Sequence, residues 1–214
     1  MEHLNFKGFL IEVGTIIFAV LVALGAESWW EHHKTMEMVD MSVERINNEV
    51  TSNLYSIVYT DKEARLKYEA LRNMEKDLEN SEIFAKQASA FNGYSAVIMN
   101  TSAWKRILND KVAAYFPVDY VERTYNLYQY AERFEDIKNN LMKFVFSELF
   151  VNKNKVSEAY AISKIYYKEL TRLTEGAIED YKKFIKDFNP EEYYTVAAKC
   201  DSISNSIKSF RNNN

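Results

Sequence analysis

Three observations predict an all-α fold. Helix breakers are scarce, with 5 Gly and 2 Pro among 214 residues, and neither type falls between Gly25 and Gly93. A strand-rich chain needs more turn residues than that. Apolar residues recur at three- and four-residue steps over most of the length, the helical period. The interruptions are short Asn, Asp and Pro punctuation between long periodic runs. The expected architecture is an N-terminal transmembrane helix continuing into a juxtamembrane helix, followed by an antiparallel helical bundle. Residues 1–8 are expected as a tail, 9–30 as the membrane helix, 31–59 as a juxtamembrane helix with a heptad seam, 60–210 as the bundle and 211–214 as a disordered tail.

The organising stretch is 9–30, FLIEVGTIIFAVLVALGAESWW, which carries a single charge, Glu12, before residue 27. As a helix it spans roughly 33 Å, enough for a ~30 Å hydrocarbon layer. Trp29 and Trp30 are expected as interfacial anchors. The apolar run exceeds a secretory h-region of about 7–15 residues, and Trp29, Trp30 and Glu31 stand where a small-residue cleavage site would be, so a retained anchor is expected. A buried helix of a soluble bundle would show one apolar stripe, whereas here apolar residues cover every side.

Gly8, Glu12, Thr15, Ala19, Ala23 and Ala26 follow three- and four-residue steps and form one face of that helix. Small residues let helices approach closely in lipid, and an ionisable residue in the membrane faces protein or water. This is the expected membrane contact face. The plainer reading places Glu12 about one turn inside the boundary, protonated or reaching the headgroups.

Beyond the anchor, Met36, Val39, Val43, Ile46, Val50, Asn53 and Ile57 alternate steps of three and four, a heptad seam. Asn53 is a polar seam position of the kind that fixes register. The seam is open to two partners, another copy or the domain's own later helices. Asp61 reads as the N-cap of a new helix over 62–78. A short helix is expected at 81–91, stopped by Asn92 and Gly93. Residues 95–99 form a short apolar run. Thr101 and Ser102 then cap a helix carrying Trp104, Ile107 and Leu108, broken at Asn109 and Asp110. Pro117 suits the first turn of a helix over 118 to about 150. Further helices are expected at 156–188, stopped by Asn189 and Pro190, and at 191 to about 210.

Several segments in order resemble a group of uncharacterised bacterial single-pass membrane proteins. EVGTIIFAVLVALGAESWWE is similar to that group's anchor ending in a Trp-acidic pair. VERINNEVTSN is similar to its hydrophobic-x-x-Glu-hydrophobic-x-x-Asn pattern, here Glu49, Val50 and Asn53. The segment from Thr101 is similar to its Ala-Trp segment with a following Tyr, here Ala103, Trp104 and Tyr125 or Tyr128. The resemblance covers residues 9–135. It departs just after the anchor, where many members are Arg-rich and this chain has Glu31, His32, His33 and Lys34. It implies a membrane-anchored helical domain and adds no activity to that reading.

Charge and motifs exclude most chemistry. A formal net charge of −4 gives no support for a nucleic-acid partner, since such domains usually carry a basic face. Cys200 is the single cysteine, so an intrachain disulfide is impossible. His32 and His33 point about 100° apart on a helix and share no metal face. No histidine follows His33, which removes Ser-His, Cys-His, Arg-then-His nuclease and Glu-x-x-His di-iron arrangements from the domain. The five glycines form no phosphate loop. The 15 Tyr fall on several helix faces and read as packing. Trp104 reads as a core wedge or a docking anchor.

The expectation is a non-enzymatic protein with no catalytic residue, metal or cofactor, acting as an interaction or scaffold protein. Its expected partners are the lipid bilayer and either itself, as a homo-oligomer, or another membrane protein. The expected location is the bacterial inner membrane. Lys7 precedes the span and Lys34 and Arg45 follow it, and with the resembled group's Arg-rich flank this places the domain in the cytoplasm. Two alternatives belong to other classes. One is a homo-oligomeric pore with Glu12 as its constriction, in stress or antiphage defence. The other is a membrane-bound ligand sensor.

Overall fold

A computed structural model describes residues 6–74, 94–110, 112–148, 152 and 155–211. The described residues are all-helical with no strand. Helix α1 is Phe6–Met74, α2 is Ser102–Asn109, α3 is Val118–Val145, α4 is Val156–Phe188 and α5 is Pro190–Arg211, with a 3-10 turn at Val112–Tyr115. The expected helices at 156–188 and from 191 match α4 and α5 closely. The helix expected at 118–150 ends at Val145. The short helix expected at 81–91 and the tail 212–214 lie outside the described residues.

The chain divides into two compact units, Met1–Glu44 and Arg45–Asn214. In the first, α1 is one uninterrupted helix whose apolar stretch is long enough to cross a membrane, with none of that stretch buried. Gly8, Glu12, Thr15, Ala19, Ala23 and Ala26 all lie exposed on it. The Thr15 hydroxyl donates to the Ile11 carbonyl at 2.8 Å, so its polar group is satisfied within the helix. Trp29 and Trp30 are exposed, and Trp29 stacks on His33 at 5.8 Å.

The second unit is a four-helix bundle made of α1 from Arg45 on, α3, α4 and α5. Contacts fix the directions. The Tyr160 hydroxyl donates to the Leu71 carbonyl at 3.0 Å and the Thr174 hydroxyl to Asp61 at 2.6 Å, so α4 runs antiparallel to α1. Arg123 pairs with Asp187 at 2.7 Å and the Tyr130 hydroxyl donates to Asp180 at 2.7 Å, so α3 runs antiparallel to α4. Lys199 lies over the Tyr55 ring at 4.4 Å, and Lys62 donates to the Ile203 carbonyl at 3.5 Å, so α5 runs parallel to α1. The core is aliphatic on α1 (Ile46, Val50, Leu54, Ile57) and aromatic on α4 (Tyr166, Tyr167, Tyr181, Phe184), all buried.

One expectation is corrected. No new helix starts at Asp61, because α1 continues through it to Met74. Thr60 is buried, and the Asp61 carboxylate is held by Arg65 at 2.8 Å and by Thr174, so an N-capping residue by type serves as a cross-helix acceptor. Of the two partners left open for the seam, the bundle's own helices cover its later part. Ile46, Val50, Asn53 and Ile57 are at most 2% exposed inside the bundle, Val43 is half-buried and Met36 is exposed. Val39 is also buried, and the second unit takes up the seam from Arg45 on.

Candidate functional site

The most elaborate polar arrangement in the bundle starts from α1. Glu49, Asn53, Ser56, Glu63 and Lys67 follow steps of four, three, seven and four, which places them along one stripe of the helix. Residues 94–101 have no regular secondary structure and lie along this stripe in the opposite direction. Lys67 donates to the Ser95 hydroxyl at 3.0 Å, and that hydroxyl donates to Glu63 at 2.8 Å. The Ser56 hydroxyl donates to the Ile98 carbonyl at 3.1 Å. The Asn53 amide reads the Asn100 backbone in both senses, donating to its carbonyl and accepting from its N–H, each at 2.8 Å. From α4, the Tyr166 hydroxyl donates to the Ser95 carbonyl, and Tyr94 and Ser163 share a hydrogen bond at 2.9 Å. An irregular segment packed on a bundle must place its backbone polar groups somewhere. Here the side chains of α1 and α4 receive them.

Glu49 ends the stripe. Its carboxylate accepts from the Ser102 hydroxyl at 3.0 Å, the Ala103 N–H at 2.9 Å and the Tyr128 hydroxyl. Thr101, at the N-cap of α2, makes no side-chain capping bond. Glu49 supplies the missing acceptor from another helix and sets a negative charge at the positive end of α2. The Tyr128 hydroxyl is raised far above the ordinary phenol range, first by burial and then by its bond to Glu49. Trp104 stacks on Tyr128 with ring centres 5.7 Å apart and planes 13° from parallel.

This hub supports a groove of about 510 Å³ between residues 97–101, α2 and α3. Trp104 and Tyr128 form its buried floor, and Ile98 (77% exposed), Leu108 (50%) and Tyr125 (50%) form its apolar rim. Lys105 stands on the α2 wall and Glu132 on the α3 wall. Both are exposed, and neither has a hydrogen-bond or ion-pair partner among the described residues.

No family model, curated protein or solved structure matches the chain. Its functional reading therefore stands on these residues alone. Two of the three segments that carry the resemblance noted above, those containing Glu49 with Asn53 and Ala103 with Trp104, meet in space. Glu49 and Asn53 bind the backbone and side chains of residues 100–103, Trp104 follows directly, and Tyr128 completes the hub. Of the two tyrosines left open by the sequence, Tyr128 is the hub residue and Tyr125 the exposed rim. Trp104 is 7% exposed, so it acts as floor and wedge beneath the groove. The membrane face from Gly8 to Ala26 belongs to the other compact unit and takes no part in the hub.

Sequence reading missed Ser95, Asn100 and Ser102 as partners. The one available signal was the recurrence of polar residues on α1 along the step that carries Asn53. No cluster of three or more His, Cys, Asp or Glu is placed to hold a metal among the described residues. What the hub does chemically is hold position: Glu49 has three donors on it, and the groove beside it offers apolar surface and two single charges.

Proposed function

We propose that this protein is a non-enzymatic, single-pass membrane-anchored interaction protein that self-associates through the Glu12 to Ala26 face of α1. One observation carries the reading. Ten large apolar side chains between Phe9 and Leu24 are each 52–70% exposed, and their spacing sets them around the helix on every side but that of Glu12. Each costs about 1.5–3 kcal/mol to leave in water instead of an apolar medium. Scaled to their exposure, their sum is comparable to the whole stability of an ordinary domain, about 5–15 kcal/mol. A bilayer covers such a helix on every side, and the small residues with Glu12 provide the one side suited to a second helix.

The non-enzymatic part is supported by the use made of the interior polar groups, of which Glu49, Asn53 and Asp61 are committed to packing bonds. We place the protein in the bacterial inner membrane with the bundle in the cytoplasm, on the positive-inside balance of Lys34 and Arg45 against Lys7.

The test is native mass spectrometry of the detergent-purified protein, wild type against Ala19→Leu with Ala23→Leu. A small wild-type oligomer that becomes a monomer in the variant supports the reading. Unchanged mass in the variant removes the face. A closed ring of about five or more copies turns the reading toward a pore, tested by bilayer currents of Glu12→Gln.

A further inference from the structure

We infer that the groove beside Trp104 is a second self-association surface, and that its occupant is the same groove on another copy of the chain. This rests on the self-association reading above and adds a contact in the bundle to the one in the membrane. Two features point to a second copy. The first is apolar: Ile98, Leu108 and Tyr125 are large, half or more exposed, and surround one concavity of about 510 Å³. Paired apolar rims remove one another from water, and a concave floor accepts the opposing rim.

The second is charge complementarity of the groove with itself. Its α2 wall carries Lys105 and its α3 wall carries Glu132, opposite in sign and each without a partner among the described residues. The other charges on the groove, Glu135 and Lys138, already pair with each other at 2.5 Å. In a two-fold interface every contact between residues i and j occurs twice. Lys105 of one copy then meets Glu132 of the other, and the reverse, so two ion pairs flank the apolar centre. A partner of uniform charge would satisfy one wall and be repelled by the other.

The geometry suits a weak contact made productive by tethering. Copies held in one membrane meet at high effective concentration, so a small interface contributes where it would fail between free domains. The supporting scaffold is rigid, because Glu49 and Asn53 fix residues 100–103 and with them the α2 wall.

The experiment is sedimentation equilibrium of the full chain in density-matched detergent, comparing wild type with Lys105→Glu, Glu132→Lys and the double variant. Each single change replaces two attractive pairs by two like-charge pairs and is expected to weaken association about ten-fold, and the double variant to return it to within about three-fold of wild type. Ile98→Asp is expected to weaken it without rescue by either charge change. All these positions are exposed, so thermal midpoints and far-UV circular dichroism are expected to match wild type. Association unchanged in the single variants overturns the inference. So does a double variant weaker than either single one. If wild type associates and only the Ala19 and Ala23 variant disturbs it, the groove fails and the membrane face stands. A monomeric wild type overturns both.

Discussion

The Tyr128 hydroxyl donates to the Glu49 carboxylate inside the bundle, where both residues are at most 6% exposed. That bond closes a set of three donors around one carboxylate, and the other two belong to the first turn of α2. A buried charge is tolerable only when its hydrogen bonds are complete, so the three bonds stand or fall together.

Removing the acceptor is therefore the more damaging change. Glu49→Ala leaves three donors without a partner and is expected to lower stability by about 3 kcal/mol, against about 1.5 kcal/mol for Tyr128→Phe. Urea unfolding followed by circular dichroism in mild detergent checks both. The double-mutant cycle with Glu49→Gln is expected to show coupling above about 0.5 kcal/mol, and additivity would refute the shared network.

Asn53 and Ser56 both bond residues 98–100, yet their contributions are expected to differ. Asn53 is 2% exposed and serves a donor and an acceptor, so Asn53→Ala is expected to cost about 2 kcal/mol. The Ser56 bond lies near solvent, where water replaces it, and Ser56→Ala is expected to stay within about 0.5 kcal/mol. The same urea series reads both, and equal losses would count against the difference in burial as the cause.

These residues also show how far the sequence could be read. The all-α class, the bounds of α4 and the apolar stretch of α1 follow from local signals, namely breaker scarcity, periodicity and an Asn-Pro stop. Asn53 was visible as a polar residue in an apolar seam, because burying an amide demands a partner. Its partner, Asn100, was not visible, since a backbone acceptor 47 residues away leaves no mark in composition. Asp61 misled for a related reason. An aspartate is a helix cap by local propensity, and only the packing of Thr174 against it decides otherwise. The choice between Tyr125 and Tyr128 likewise needed the rotation of α3 on its neighbours. The exposed groove carries no sequence signature, because it is shaped by three segments that are separate in the chain.

Alkaline pH is expected to unfold the bundle through its tyrosines. Burial raises Tyr120, Tyr128, Tyr166, Tyr167 and Tyr181 above the ordinary 10.0, and burial with the Asp180 bond raises Tyr130 to about 12. Above pH 10 the unfolded chain loses phenol protons that the folded chain keeps. The unfolded state then binds fewer protons, so stability falls as pH rises. The contribution of these tyrosines is complete below pH 10 and declines above it. The urea midpoint is expected to lose nothing from them between pH 8 and 9 and to drop beyond 10. A urea midpoint that holds steady above pH 10 would contradict the burial argument.

The side of the membrane is accessible through a single engineered thiol. Cys200 is 1% exposed and is replaced by Ser to clear the background, while the exposed Ser202 becomes Cys. An impermeant maleimide is expected to label spheroplasts only after the inner membrane is opened. Labelling of intact spheroplasts would put the bundle on the outer side.

The stripe on α1 also limits how this chain can change in length. Inserting one residue between Glu49 and Lys67 turns everything beyond it by about 100° and advances it by about 1.5 Å. The donors and acceptors on one side of the insertion would then miss the segment that those on the other side still hold. Seven inserted residues would restore the angle to within about 20° but displace the stripe by two turns. A single-residue insertion between Glu49 and Lys67 therefore breaks the register by which one helix holds an irregular segment from end to end.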